Sequence, residues 1–261
     1  RAKDKILKID DTVTNDLTVD EAVKLIRGDI GTRVVLNIFR DEWEKSKDIE
    51  IIRAKVDVPT VDWSIKDGGV LYLQLYNFNG NTGLVFYKTM MDALSKGGIR
   101  GIVLDLRNNP GGYLDIAVDL AGWFLEKGDI VAKERFADGQ ERIFKANGNK
   151  ALKGIPLVAL INGGSASASE ILAGALKVNR GIKLIGEKSF GKGTVQELQE
   201  LKDGSTLKIT IANWLLPDNS MIEKIGLTPD VEIKLTDEDF EAKKDPQLDK
   251  ALEILRAEIA K

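Results

Sequence analysis

The first part of the chain has a sparse hydrophobic pattern that predicts a small lobe of strands around one helix. Thr18 and Glu21 fit a capping box, and the apolar residues after them recur at helical spacing as far as Gly28. Apolar positions at strand spacing predict strands over residues 4–10, 34–39 and 49–52. We therefore predict a first domain over residues 1–55.

From residue 70 onward, short apolar runs alternate with amphipathic helical segments. Short apolar runs separated by helices are typical of parallel strands buried on both faces, so this region predicts an α/β core. The apolar runs cover residues 70–75, 101–106, 156–161 and 182–186. The helical segments cover residues 82–95, 115–125 and 168–178, and the apolar positions of the first are Leu84, Val85, Met91 and Leu94.

After Lys192 the apolar spacing changes again, to a pattern that is typical of strands. Residues 195–202 and 206–214 predict a hairpin, because the Asp-Gly pair between them is a turn signal. The chain ends in a charged helical segment over residues 245–261. These elements predict a second domain over residues 56–261 and an overall α/β (α+β) fold class.

The composition excludes several classes of function. Charge is balanced, with 38 basic and 41 acidic residues and a net charge of -3, so no nucleic acid is predicted as a partner. No apolar run is long enough to span a bilayer, and no signal peptide is visible, so we expect that one was removed or that the chain is a fragment. The absence of histidine and cysteine excludes Ser-His-Asp and Cys-His hydrolases, disulfides and thiolate metal sites.

Ser167 lies at a predicted strand-to-helix junction. A serine there has its hydroxyl at the positive end of the helix dipole, where free backbone N–H groups can bind an oxyanion. The small residues around it allow a substrate backbone to approach closely. The alternative is structural: Ser167 and Glu170 also fit a capping box, in which the serine holds the helix end without doing chemistry.

Lys192 lies between two glycines after another predicted strand, and without histidine it is the leading candidate for the base that activates Ser167. A free lysine has a pKa of about 10.4, so it must lose roughly 3 units, or about 4–5 kcal/mol, to act near pH 7. Burial in an apolar pocket lowers a lysine pKa, and we expect Phe190 and Val195 to line such a pocket. If the following strand is irregular at Gly193, the amide of Gln196 reaches the ammonium group and orients it.

The same lysine has a second interpretation, because residues 186–192 match the first seven positions of the P-loop motif G-x-x-x-x-G-K-[ST]. The eighth position is Gly193, which has no hydroxyl for magnesium. The next predicted element is a strand, whereas a P-loop requires a helix whose N-terminus holds the phosphates. The nucleotide-binding interpretation is therefore not favoured.

A third segment is a glycine turn directly after a predicted buried strand. One interpretation is an ordinary β-to-α loop. The functional one makes the backbone N–H of Gly111 or Gly112 a second oxyanion donor beside that of Ala168. Asp105 and Arg107 in the same segment are expected to fasten the loop rather than to react.

Four segments, in this order, resemble the carboxy-terminal processing peptidases, also called tail-specific proteases. They are Leu-Asp-Leu-Arg-Asn-Asn-Pro-Gly-Gly (104–112), Gly-Ser-Ala-Ser-Ala-Ser-Glu (164–170), Gly-Glu-Lys-Ser-Phe-Gly-Lys-Gly-Thr-Val-Gln (186–196) and Gly-Leu-Thr-Pro-Asp-Val (226–231). Each segment alone is a weak signal, whereas four in the same order across essentially the whole chain are specific.

The resemblance implies a serine endopeptidase that cleaves proteins near their C-terminal tails through an acyl-enzyme, on a core related to the crotonase and Clp-protease spiral. The catalytic and oxyanion residues of the family match Ser167, Lys192, Gln196, Gly111, Gly112 and Ala168. The serine is the nucleophile, the lysine the general base and the glutamine its support. Backbone N–H groups of one glycine and the alanine are the oxyanion donors. No metal and no organic cofactor are implied.

The first domain resembles the second half of a PDZ domain, which in this family gates or recognises the C-terminal tail of the substrate. The first half, with the loop that captures a terminal carboxylate, is absent from the sequence, as are a signal and a membrane anchor, so we expect a trimmed fragment. The resemblance implies an extracytoplasmic location, in the periplasm, at the bacterial cell surface or in the chloroplast lumen.

The implied partners are proteins or peptides with exposed C-terminal tails, and a homo-oligomer is compatible with the family. The alternative function is a non-catalytic binding module or a pseudoprotease scaffold on the same fold. The intact Ser167, Lys192 and Gln196 argue against that alternative.

Overall fold

The computed structural model describes residues 4–41, 43–55 and 59–260. The chain divides into two compact units, Arg1–Val58 and Pro59–Lys261, each of which has its own hydrophobic core. The predicted α/β fold class is confirmed, since helices and sheets of both parallel and antiparallel type are present.

The first unit is an antiparallel four-stranded sheet with one helix. The strands are β1 (Lys5–Ile9), β2 (Thr12–Val13), β3 (Arg33–Phe39) and β4 (Lys47–Ile52), in the order β2-β1-β3-β4, and the helix is α1 (Val19–Ile26). The predicted capping box is confirmed, because Glu21 N–H donates to Thr18 Oγ1 at 3.3 Å and Thr18 N–H donates to Glu21 Oε2 at 2.8 Å. The buried core comprises Ile9, Val34, Leu36 and Ile38.

The second unit is built on a six-stranded sheet in which every neighbouring pair is parallel except β5 and β6. Its strands are β14 (Val231–Glu232), β11 (Lys183–Gly186), β10 (Leu157–Ile161), β7 (Gly101–Asp105), β6 (Val70–Leu75) and β5 (Val61–Lys66), in that spatial order. The two central strands, β7 and β10, are buried at every residue. They are continuous apolar runs because both faces of the sheet are covered.

Successive residues of β7 and β10 serve different cores, as strand geometry requires. Leu104 and Ala159 pack with the helices of one face, whereas Val103 and Val158 pack on the other face with Leu255 and its helix. The helices of the first face are α2 (Thr82–Ser95), α3 (Leu114–Ala121) and α4 (Ala168–Arg180), and the other face is covered by α6 (Pro246–Ile259).

A second sheet in this unit is antiparallel and was only half predicted. Its strands are β8 (Ile130–Phe136), β9 (Glu141–Lys145), β12 (Thr194–Glu200) and β13 (Thr206–Leu215), in the order β12-β13-β8-β9. The predicted hairpin corresponds to β12 and β13. Strands β8 and β9 were not predicted. Strand β9 has no apolar pattern of its own, because it is mostly exposed and rich in charged residues. The short helix α5 (Asp237–Glu241) was also not predicted.

Helix α2 has the predicted bounds, and of its four predicted apolar positions Val85 and Leu94 pack against the core, whereas Leu84 and Met91 are exposed. The fully buried residues of the helix are Thr82, Phe86, Met90 and Ala93. Apolar residues lie on both sides of this helix, so spacing alone did not identify the inward side. No helix in the described part of the chain has the length and hydrophobicity needed to cross a bilayer.

Candidate active site

The three candidate motifs meet because three parallel strands end at the same edge of the sheet. Strand β7 ends at Asp105, β10 at Ile161 and β11 at Gly186, and the strand register pairs Leu160 with Asp105 and Ile161 with Gly186. The loops that leave this edge carry the glycine turn, the serine and the lysine. Carboxyl ends of parallel strands are the usual place for ligand and catalytic sites in α/β sheets.

Ser167 occupies the N-cap of α4 with a strained backbone. Its φ is 55° and its ψ is -115°, a combination that side-chain-bearing residues rarely adopt. Such conformations cost on the order of 1–3 kcal/mol and concentrate at functional sites. Its side chain is half-buried, between the buried Ala166 and Ala168.

Ser167 differs from the two other serines of this segment in what its hydroxyl does. Ser165 Oγ donates to the carbonyl of Leu106 at 2.8 Å, and Ser169 Oγ donates to the carbonyl of Asn109 at 2.9 Å. Both serines are fully buried. The hydroxyl of Ser167 donates to no acceptor within the described residues. The first and third serines therefore fasten the loops together, and the second keeps its proton available.

The glycine turn packs directly against Ser167. A Cβ on Gly111 would lie 2.5 Å from the carbonyl oxygen of Ala166 and 2.9 Å from the nitrogen of Ala168, and its φ is 92°, so the position requires glycine. The N–H of Gly111 donates to Asn109 Oδ1 at 2.9 Å, so it is already used.

Two other N–H groups near Ser167 remain available. Gly112 is exposed and donates to no acceptor recorded for the described residues, because the bridge to Phe78 uses the carbonyl of Gly111 and the N–H of Tyr113. Ala168 is the first residue of α4, where an N–H has no acceptor inside the helix.

Asp105 and Arg107 hold the glycine turn in place through hydrogen bonds, as predicted. Arg107 donates to Asp105 Oδ2 at 2.6 Å, to Asp245 Oδ2 at 2.8 Å and to Gln247 Oε1 at 2.9 Å. Burial acts to lower the pKa of Arg107, but the hydrogen bonds to the two carboxylates outweigh it and raise the pKa above its usual value. The guanidinium therefore ties the turn after β7 to the start of α6.

The backbone of Lys192 is held on both sides. Its own N–H donates to Glu170 Oε2 at 3.0 Å, and the N–H of Ser167 donates to the same oxygen at 2.9 Å. The N–H of Gly193 donates to Glu223 Oε2 at 2.9 Å. Ser167 and Lys192 are thus brought together through one carboxylate oxygen.

The side chain of Lys192 differs from the prediction. It is exposed, Phe190 is 61% exposed and Val195 is half-buried, so the predicted apolar pocket around the lysine was wrong for this structure. The physical reason is that the loop is anchored through its main chain, which leaves the side chains of Phe190 and Lys192 in solvent. No hydrogen bond or ion pair of the ammonium group is recorded among the described residues.

Gln196 lies on β12 and is exposed. The pairing of β12 with β13 shifts register between Val195 and Gln196, so an irregularity is present, three residues beyond Gly193. Within the described part of the chain, the Gln196 amide makes no hydrogen bond with the Lys192 ammonium. The element after Lys192 is this strand, so no helix N-terminus is available for a P-loop.

Sequence reasoning missed the role of Glu170, which it considered only as half of a capping box. The residue is 1% exposed, and its carboxylate accepts four hydrogen bonds. Besides the two bonds to Oε2, Oε1 accepts from Ser189 Oγ at 2.5 Å and from Gly191 N–H at 2.7 Å. The position of Glu170 as residue N3 of the capping box was the available sequence signal for a structural role. No neighbouring residue indicated that its partners come from the lysine loop.

Residues 4–41, 43–55 and 59–260 contain no group of three or more His, Cys, Asp or Glu side chains that could hold a metal ion.

The chain that places a serine, a lysine loop and a glycine turn together at this sheet edge is similar to known proteins. The model of peptidase family S41 matches residues 69–233, which include all three loops. The chain therefore belongs to peptidase family S41, and the predicted resemblance to carboxy-terminal processing peptidases is confirmed.

Three relatives illustrate the similarity. The carboxy-terminal processing protease CtpA of Bacillus subtilis (strain 168) is 38% identical over 237 residues, which are 91% of this chain and 50% of that protein. A probable CtpA-like serine protease of Staphylococcus haemolyticus is 42% identical over 233 residues, 88% of this chain and 46% of that protein. The solved photosystem II D1 C-terminal processing protease has a TM-score of 0.78 at 32% identity and covers 90% of this chain and 64% of that one.

The chain spans about half the length of the curated relatives that it matches.

Proposed function

We propose that this chain carries the catalytic part of a serine endopeptidase in which Ser167 is the nucleophile and Lys192 the general base. Ser167 Oγ attacks the carbonyl carbon of the scissile peptide bond, and its proton passes to the Lys192 amine. The protonated lysine then gives a proton to the leaving amine. Water hydrolyses the acyl-enzyme by the same route and regenerates the serine hydroxyl.

In this proposal the oxyanion is bound by the backbone N–H groups of Gly112 and Ala168. The N–H of Gly111 is less suitable because Asn109 Oδ1 already accepts it. Gly111 contributes instead by its lack of a side chain, which lets the turn approach Ser167. Each well-placed donor of this kind contributes about 2.7–4 kcal/mol to catalysis in known enzymes.

The observation that carries the proposal is the shared carboxylate oxygen of Glu170. Ser167 and Lys192 are twenty-five positions apart in sequence, yet both backbone nitrogens donate to Oε2, at 2.9 and 3.0 Å. The strain at Ser167 also supports a nucleophilic role, and so does its hydroxyl, which donates to no acceptor within the described residues. A cap alone requires neither the strain nor a lysine loop beside it.

The exposed lysine has a consequence for the mechanism. A lysine base works only when water is excluded from its amine, which lowers the cost of the neutral form. We propose that the bound substrate supplies this exclusion by covering Lys192 and Phe190. Gln196 would then orient the amine, as the family resemblance implies.

One observation favours the alternative of a non-catalytic scaffold: within the described residues, the Lys192 ammonium makes no hydrogen bond or ion pair, and so none with Ser167 or Gln196. An intact but misaligned pair would bind protein tails without cutting them.

Cleavage of an unstructured protein with an apolar C-terminal tail separates the two functions. We expect the unmodified chain to cleave it, and Ser167→Ala and Lys192→Ala each to lose on the order of 10⁴-fold or more in kcat, as nucleophile and base deletions do in other serine proteases. Ser95→Ala is the matched control, because Ser95 Oγ donates to the carbonyl of Asp92 at the exposed end of α2.

If the unmodified chain cleaves and both variants keep that activity, the mechanism is wrong. If the unmodified chain binds the tail but does not cleave it, the same assay is repeated with the chain extended at its N-terminus by the rest of a PDZ domain. Failure of that form to cleave would favour the scaffold.

We further propose that the first unit is part of a PDZ domain that presents the C-terminal tail of a protein substrate to the catalytic unit. The support is the order of β1, α1, β3 and β4, which resembles the second half of such a domain. We also propose that the activity lies outside the cytoplasm, as the resemblance to the carboxy-terminal processing peptidases implies. Fluorescence anisotropy of a tail peptide, with a free or an amidated C-terminus, tests recognition, and the amidated peptide should bind more weakly to the PDZ-extended chain.

A further inference from the structure

Glu170 is a buried carboxylate that no cation neutralises within the described residues. Four donors surround it instead: the N–H groups of Ser167, Gly191 and Lys192 and the hydroxyl of Ser189. Hydrogen bonds to an ionised group are shorter and roughly twice as strong as neutral ones. The side chain also lies at the N-terminus of α4, where the helix dipole favours negative charge.

The two carboxylate oxygens have different partners. Oε2 joins the backbone of Ser167 to that of Lys192, and Oε1 joins Ser189 and Gly191. The connection continues beyond the carboxylate, because Ser189 Oγ accepts from the N–H of Leu227 at 2.6 Å. The serine turn, the lysine loop and the segment that starts at Gly226 are therefore held by one hydrogen-bonded cluster.

We propose that Glu170 is a positioning residue that sets the distance between the nucleophile and the base. It does not touch the substrate, and it acts through the main chain of Ser167 and Lys192. A lysine with an exposed, unanchored side chain can reach the serine reproducibly only if its backbone is fixed relative to it. This inference rests on the proposed function of Ser167 and Lys192.

Three substitutions separate positioning from mere stability. Glu170→Ala removes both halves of the bridge, and we expect kcat to fall on the order of 100-fold, the usual cost of a displacement of about 1 Å, with KM nearly unchanged. Glu170→Gln keeps the reach of the side chain. When its amide oxygen faces the N–H groups of Ser167 and Lys192, the bridge between them is kept. Its NH₂ then faces the N–H of Gly191, which loses its acceptor, so we expect only part of kcat to be recovered. Glu170→Asp keeps the charge, but its side chain is one methylene shorter. We therefore expect its kcat to be lower than that of Glu170→Gln.

The stability control is Arg180→Ala, at the opposite end of the same helix. Arg180 donates to the carbonyl of Ile155 at 2.7 Å and to that of Leu152 at 3.4 Å. Its removal lowers the melting temperature without touching the site, so kcat and KM should stay at their original values. The rate at which a fluorophosphonate labels Ser167 gives a second readout. This rate should be highest with glutamate at position 170 and should fall in the order glutamine, aspartate, alanine.

The proposal is overturned if Glu170→Ala or Glu170→Asp keeps the original kcat, or if Arg180→Ala loses as much kcat at the same loss of melting temperature. If Glu170→Ala does not fold, the comparison of Glu170→Gln with Glu170→Asp tests the proposal. Equal kcat values for these two variants would overturn it. Retained cleavage by Ser167→Ala would instead contradict the proposed function itself.

Discussion

At the scale of single residues, the strain at Ser167 is the feature that distinguishes it from its neighbours. Ser165 and Ser169 have committed hydroxyls and are buried, whereas Ser167 has a positive φ of 55°. The surrounding structure must hold Ser167 in this backbone conformation, because an unconstrained chain would relax to a more favourable one. Its N–H bond to Glu170 and the bond from Ile171 N–H to its carbonyl fix both sides of the residue.

This strain predicts a difference between two inactive variants. Ser167→Gly relieves a backbone conformation that costs about 1–3 kcal/mol, whereas Ser167→Ala keeps it. We expect the glycine variant to be more stable than the alanine variant by about 1 kcal/mol, after the entropic cost of glycine. Thermal unfolding of the two measures it. Equal stabilities would mean that the backbone at Ser167 is not strained.

The features of the candidate site were predictable from sequence to different degrees. Ser167, Lys192 and the glycine turn could be found because each follows a recognisable buried strand and lies in a motif. The bridge through Glu170 could not, because its partners come from a loop about twenty residues away and depend on how two strands end. The exposure of Lys192 could not be found either, since it depends on where neighbouring side chains point.

At the scale of elements, α6 is fixed to the sheet by a polar contact as well as by its apolar face. Asp245 is its N-cap and accepts from Leu248 N–H at 3.0 Å, while Arg107 donates to both carboxylate oxygens of Asp245. Burial acts to raise the pKa of Asp245, but the hydrogen bond and charge of Arg107 outweigh it and lower the pKa below its usual value.

This lowered pKa predicts a pH-dependent effect of Asp245→Asn. A carboxyl group whose pKa is lower in the folded state stabilises the protein above its unfolded pKa of about 3.9, and the effect is lost as pH falls through the folded value. Asparagine caps helices as well as aspartate, so the variant removes mainly the charge. Because the side chain is partly exposed, we expect a loss of about 1–2 kcal/mol at pH 7.

Melting temperatures of the original chain and Asp245→Asn, measured between pH 2.5 and 8, check this prediction. The difference should be largest at neutral pH and should shrink below pH about 4, where the carboxylate of the original chain becomes protonated. A difference that stays constant over this range would show that the contact with Arg107 does not depend on the charge of Asp245.

The elements themselves show where sequence patterns are informative. Strands β7 and β10 were predicted because burial on both faces makes them continuous apolar runs. The bounds of α2 were predicted but not its inward face, because Leu84 and Met91 are apolar yet exposed while Phe86 and Met90 are buried. Strand β9 was missed because its pairing with β8, rather than its own hydrophobicity, makes it a strand.

At the scale of the whole molecule, the two units bury very different amounts of apolar side chain. The first unit buries Ile9, Val34, Leu36 and Ile38 in its core, whereas the second buries one large cluster and one smaller cluster on the two faces of its sheet. The fraction of surface buried on folding rises with the size of a domain, so small domains are marginally stable. All the proposed catalytic residues belong to the larger unit.

We therefore predict two unfolding transitions in calorimetry, with the first unit melting at the lower temperature. Leu36→Ala in β3 and Leu160→Ala in β10 each remove a buried leucine side chain, at a cost of about 2–5 kcal/mol. Leu36→Ala should lower or abolish the first transition and leave the second in place, and Leu160→Ala should lower the second. A single transition that both substitutions shift equally would show that the two units unfold as one cooperative structure. The first outcome has a direct functional consequence, because a Leu36→Ala chain would then still label at Ser167 above the temperature at which its first unit has melted.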